Sequence, residues 1–137
     1  MFVCVENAGR SQMAEAFAKK YNLTATSAGT IPSAHVNQTV VEAMRELGID
    51  LSSTIPKMLT LQTIEEAELV VTMGCSVEAV CPAPLIGQMN KKLRDWHLDD
   101  PKDKPIEEVR RIRDTIEQRV RMLSKEFSSP TAETIPN

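Results

Sequence analysis

What most limits the folds open to this chain is the transition around residue 4. A short apolar run, Phe2-Val3, delivers Cys4 into five loop residues, Val5-Glu6-Asn7-Ala8-Gly9. Arg10-Ser11 then open a stretch in which Met13, Ala14, Phe17 and Ala18 fall on one helical face. A strand, a tight loop and a helix in direct succession are how a parallel, helix-covered sheet begins. The arrangement also has a chemical use. A loop closing onto a helix N-terminus points several backbone N–H groups at one spot, where the helix dipole adds partial positive charge. An oxyanion of phosphate size should bind there. The same field favours thiolate over thiol, so Cys4 is expected to be nucleophilic at neutral pH.

Each residue type in the loop fits that use. Residues 5–10 (Val5, Glu6, Asn7, Ala8, Gly9 and Arg10) form the expected substrate cradle. Arg10 offers a planar fork of donors suited to two oxygens of a tetrahedral anion. Ser11 is placed to donate its hydroxyl to the Cys4 sulfur. Asn7 and Gly9 are residue types that tolerate left-handed backbone, which a loop folding its amides inward needs. Glu6 is out of character in an anion cradle, so its side chain is expected to point away from the ligand.

The rest of the chain alternates strands and helices. Residues 24–28 read as a strand ending at Gly29, and 31–35 as a loop broken by Pro32. Asn37 caps a helix carrying Val40, Val41, Met44 and Leu47, which Gly48 stops. Residues 60–66 suggest a short helix, 69–73 a buried strand, and 93–98 a fourth, shorter strand. Residues 106–127 form a long helix with Val109, Ile112, Ile116, Val120 and Leu123 in one stripe. The first strand is short, or the true start lies upstream. The expected fold is α/β: three layers, a four-stranded parallel sheet with helices on both faces. One domain spans 1–127, and 128–137, with two prolines and no apolar period, reads as a disordered tail. Ligands of such sheets bind beyond the strand C-terminal ends. Cys4, Gly29, Cys75 and the pair Asp99-Asp100 all follow strand ends.

Several function classes are disfavoured. A net charge of −3 gives no electrostatic case for nucleic acid or an anionic membrane. No apolar run approaches the ~20 residues of a membrane span, and the N-terminus does not read as a signal peptide. Three cysteines, an odd number without secretory context, argue for reduced, reactive thiols in the cytoplasm. Cys75 and Cys81 have no second pair of His or Cys at ligand spacing, so zinc is disfavoured; two ordinary buried cysteines remain an alternative. His97 beside Trp96 reads as packing or surface, whereas His35 could approach the mouth of the site. Asp99 and Asp100 could supply a general acid, or simply cap a turn before Pro101.

The stretch Val3-Cys4-Val5-Glu6-Asn7-Ala8-Gly9-Arg10-Ser11-Gln12-Met13-Ala14-Glu15 resembles the signature of the low-molecular-weight protein tyrosine phosphatase superfamily. More closely, it resembles the thioredoxin-coupled arsenate reductases built on that fold. Ser27-Ala28-Gly29-Thr30 and Gly48-Ile49-Asp50-Leu51 also match family segments, and the likeness runs from Phe2 to about Phe127. It implies arsenate reduction by sequential thiol chemistry: Cys4 the nucleophile, Cys75 the first resolving thiol, Cys81 the second. It points to Asp100, with Asp99 second, as the acid. Tyrosine phosphatases of this fold place aromatic residues after that proline; here Lys102-Asp103-Lys104 follows, which favours a small inorganic oxyanion. The Cys75–Cys81 spacing is shorter than in the best-known relatives, and Gly74 stands where some have cysteine.

On one regular helix Cys75 and Cys81 would lie about 9 Å apart, at ~1.5 Å per residue. A disulfide tolerates no more than about 7 Å between Cα atoms. Residues 75–90 are therefore expected to be the mobile part of the molecule. No bound cofactor is expected, only an external thiol reductant: thioredoxin, or glutathione with glutaredoxin. Asn7, Glu15 and Ser27 could cluster behind the loop around a monovalent cation, as in some relatives; otherwise no metal is expected. The protein is read as a monomer. The rivals are a tyrosine phosphatase with a phosphocysteine intermediate, and a non-catalytic oxyanion-binding or redox-sensing module. Weak phosphatase side activity is expected in any case.

Overall fold

The computed structural model describes residues 1–73 and 92–128. The expected mobile segment 75–90, with Cys75 and Cys81, and nearly all of the expected tail therefore lie outside the described residues.

The described chain runs β1 (Phe2–Cys4), α1 (Arg10–Lys20), β2 (Ser27–Gly29), α2 (Gln38–Arg45), α3 (Leu61–Glu66), β3 (Val70–Thr72), β4 (Leu93–Asp95) and α4 (Ile106–Ser128). The four strands form one sheet in the order β2-β1-β3-β4, every pairing parallel. Register explains the two cores. Phe2 pairs with Val71, and both face the large cluster built by Met13, Ala14, Phe17 and Ala18 of α1, Val40 and Met44 of α2, and the stripe of α4. Val3 pairs with Ala28, and Val70 with Leu93; these face the opposite side, where Ile64 of α3 and Leu59 just before that helix cover them. Successive strand residues thus alternate between helix layers, as pleating requires, and the three-layer expectation holds.

The strands are shorter than the sequence suggested. Residues 24–26 and 96–98 fall outside β2 and β4. The paired registers stop at those bounds, although Phe2 N–H still donates to the Thr26 carbonyl at 2.9 Å and Trp96 N–H to that of Thr72 at 2.8 Å. Trp96 also packs its ring 5.8 Å from that of Phe2. Leu47 lies past the end of α2 and is exposed rather than in the core stripe. Asn37 caps α2 as expected, its side chain accepting from Thr39 N–H and Val40 N–H.

The C-terminal end of α2 is tied to α4 by charge. Arg113, buried, donates to the carbonyl of Ala43 at 2.8 Å and to Glu46 Oε1 at 2.8 Å. Arg110 Nη2 reaches Glu46 Oε2 at 2.7 Å. The guanidinium of Arg110, then that of Arg113, hold the Glu46 carboxyl down from its ordinary 4.5 to about 2. A depressed carboxyl contributes stability above its unfolded value and loses it as pH falls toward its folded one. Glu46→Gln is expected to lower the melting temperature at neutral pH and to flatten its decline between pH 4.5 and about 2. Thermal melts across that window would check this.

Candidate active site

All described pieces of the site meet at the C-terminal edge of the sheet. Cys4 closes β1, and the loop of residues 5–9 carries the chain to α1. Two close approaches fix the loop. A Cβ on Gly29 would lie 2.6 Å from the Val5 carbonyl oxygen and 2.9 Å from the Asn7 nitrogen, so only glycine lets β2 end against the loop. Gly9 is held differently from expectation. Its φ is −144°, not left-handed, and a Cβ there would lie 2.9 Å from Cγ of Pro101. It is small because the segment after β4 docks on it. Gly9→Ala should push that segment outward, lowering stability by about 1–3 kcal/mol and slowing any step that depends on Asp100. Comparing unfolding and turnover of this variant with wild type tests both parts.

Asn7 is the left-handed residue, at φ 53°, and the hub of the loop. Its backbone N–H donates to Cys4 Sγ at 3.2 Å. Its Nδ2 donates to Ser11 Oγ at 2.8 Å and to Ser27 Oγ at 3.0 Å, while Oδ1 accepts from Gln12 Nε2 and the Lys57 N–H, each at 2.9 Å. Ser11 Oγ lies 2.9 Å from Cys4 Sγ. Ser11 accepts from Asn7 and keeps a hydroxyl proton that can be directed at the sulfur. Cys4 is buried.

Arg10, also buried, is more heavily committed than a free fork. Its Nη1 donates to the carbonyls of Met73 at 2.7 Å and Leu98 at 2.9 Å, tying the ends of β3 and β4 to α1. Its Nη2 lies 3.7 Å from Asp100 Oδ2. The two aspartates part company here. Asp99 pairs with Arg111 of α4 at 3.1 Å, whereas Asp100 lines the same cavity as Cys4. That cavity, about 370 Å³, is walled by the loop, Arg10, Ser33, His35, Asn37, Asp100, Pro101 and Lys102. A larger one of about 600 Å³ opens beside Met1, Asn22, Leu69 and Phe127, but among the described residues no thiol or guanidinium lines it.

Glu15, Ser27 and Asn7 do cluster behind the loop. Ser27 donates to Glu15 Oε1 at 2.5 Å, and Lys19 and Lys57 stand 2.6 and 3.4 Å from the same carboxylate. Burial opposes the charged form of Glu15, yet the bonds from Lys19 and Ser27 and the Lys57 charge outweigh it and hold its carboxyl low. Two ammonium groups thus pair with this carboxylate. His97 is a surface residue paired with Asp95 at 3.1 Å. Gln12 and Lys57 are structural members of the site with no role read from sequence. Gln12 lay within the motif, but nothing local marks Lys57.

The sequence matches the family model for low molecular weight phosphotyrosine protein phosphatases over residues 1–132. The chain belongs to this family. Among relatives of this phosphatase-fold chain is a Halobacterium salinarum protein provisionally named an arsenate reductase, 42% identical, covering 93% of this chain and 91% of its own. Solved structures of the same fold divide by activity. An arsenate reductase in the phosphate-binding state superposes with TM-score 0.76 at 32% identity, covering 92% and 95% of the two chains. The thioredoxin-dependent arsenate reductase of Corynebacterium glutamicum gives 0.71 at 35%, covering 93% of this chain and 60% of the other. The arginine phosphatase YwlE, with serine in place of its active-site cysteine, gives 0.81 at 29%, covering 93% of each. Among the described residues no helix is long and apolar enough to cross a membrane.

Proposed function

We propose that this protein reduces arsenate to arsenite by a thiol relay, in the cytoplasm, as a monomer with one catalytic domain over 1–127. The carrying observation is Cys4 Sγ, on the wall of the cavity that Arg10 and Asp100 also line, receiving an N–H from Asn7 with the Ser11 hydroxyl 2.9 Å away. The thiolate of Cys4 attacks arsenic(V) and displaces one oxygen, which Asp100 protonates as it leaves. The loop amides of residues 5–10 and the Nε–Nη2 edge of Arg10 hold the remaining oxygens. Cys75 then attacks the Cys4 sulfur; a disulfide forms, the arsenic–sulfur bond breaks, and its electron pair leaves with arsenite. Cys81 attacks Cys75 and frees Cys4, and an external dithiol of the thioredoxin type reduces the Cys75–Cys81 disulfide. Kinship with a thioredoxin-dependent arsenate reductase supports thioredoxin over glutathione with glutaredoxin.

A second reading is a phosphatase, favoured by the likeness to an arginine phosphatase at TM-score 0.81. It needs Cys4, Arg10 and Asp100 but neither Cys75 nor Cys81. Cys75→Ser separates the two. Arsenate turnover should stop after a single adduct, while hydrolysis of a phosphomonoester should persist. Arsenate-dependent oxidation of thioredoxin, run beside glutathione with glutaredoxin, tests the main reading directly; no oxidation with either would put the phosphatase first.

A further inference from the structure

We propose that Lys102 is a substrate-binding residue, held in reserve by Glu6 across the mouth of the cavity until a small oxyanion takes its ammonium. The inference rests on the oxyanion-binding reading above. A carboxylate next to an anion cradle opposes the anion unless something neutralises it. Glu6 Oε2 lies 3.3 Å from Lys102 Nζ, and Ser33 Oγ lies 3.5 Å from Glu6 Oε1. Glu6, Ser33 and Lys102 line the same cavity as Cys4.

The root of the lysine is fixed while its tip is loose. Asp100 Oδ1 accepts the Lys102 N–H at 3.0 Å, Lys104 N–H donates to the Pro101 carbonyl at 3.2 Å, and Asp103 turns the chain at φ 62°. Pro101 meets Gly9 at the start of α1. The Lys102 side chain is 59% exposed and that of Glu6 42% exposed, so their pairing is weak and easily exchanged. A lysine carries a compact, mobile charge on a flexible stem. An oxyanion seated among inward-facing amides, less solvated than the rim, is the stronger partner for it. Glu6 is then a positioning residue. It keeps the ammonium at the mouth and competes with the ligand for it.

The test measures how well inorganic phosphate protects Cys4 of the reduced, full-length chain from iodoacetamide, with Cys4 alkylation read by peptide mass. Removing the competitor with Glu6→Gln should lower the half-protecting phosphate concentration about three-fold, and Lys102→Ala should raise it about three-fold. Lys102→Arg should stay close to wild type. In the double variant E6Q/K102A the gain from E6Q should vanish, and all shifts should shrink in high salt. A merely structural latch would move both single variants the same way, and that result overturns the inference. So does an E6Q gain that survives without Lys102, or a set of variants that protect like wild type. If phosphate fails to protect wild type at all, the oxyanion reading itself falls, and this inference with it.

Discussion

Arg10→Lys is expected to lower kcat/KM for arsenate about a thousand-fold, the scale of losing a preorganised oxyanion donor, although charge is conserved. The guanidinium does two jobs from one plane. Its Nη1 holds the carbonyls of Met73 and Leu98, and its Nη2 side faces Asp100 and the cavity. An ammonium has no second face. If Lys at position 10 reaches for the carbonyls it abandons the anion, and if it turns to the anion two carbonyls near the strand ends lose a charged donor. The second outcome also costs about 2 kcal/mol of stability. Steady-state kinetics with thioredoxin, together with a melting curve, separate the two jobs. A variant within tenfold of wild type in kcat/KM but clearly less stable would make Arg10 a brace and not an oxyanion ligand.

The same residue shows how far a sequence can be read. Arg10 reads as a candidate anion donor because its chemistry and its place at a helix start are local. Its bonds to Met73 and Leu98 are not legible in this way, because they depend on where two distant strands end. Gly9 makes the point from the other side. Composition suggested a left-handed turn, but its smallness answers to Pro101, which nothing near residue 9 announces. The α4 stripe was readable in full, since a helix closes its own hydrogen bonds and its apolar face repeats. Strands β2 and β4 were read too long because a strand is a pairing, and a pattern of apolar residues does not count the partner's residues. Lys57 was silent for a related reason. It reaches Asn7 and Glu15 only because Met58 bridges to Gly29 beside β1, a contact set by the fold.

Asn7→Ala is expected to be the costliest change in the loop for stability, about 3 kcal/mol. Two effects add. Alanine dislikes the left-handed backbone at φ 53° by about 1–2 kcal/mol. Loss of the amide also strips partners from Ser11, Ser27, Gln12 and the Lys57 N–H, all but the last buried. Asn7→Gly restores the backbone freedom alone, so the gap between the alanine and glycine variants isolates the first effect. Asn7→Asp asks the chemical question. It keeps an acceptor for Gln12 and Lys57, so much of the fold should survive. But it replaces the Nδ2 donor with an oxygen, and the Ser11 proton then has a carboxylate to bind in place of the Cys4 sulfur. Alkylation of unliganded Cys4 should slow about tenfold or more, as loss of one charge-assisted hydrogen bond implies. If the aspartate variant reacts as fast as wild type, Ser11 is not aimed at the sulfur by Asn7, and the activation of Cys4 must come from the loop amides alone.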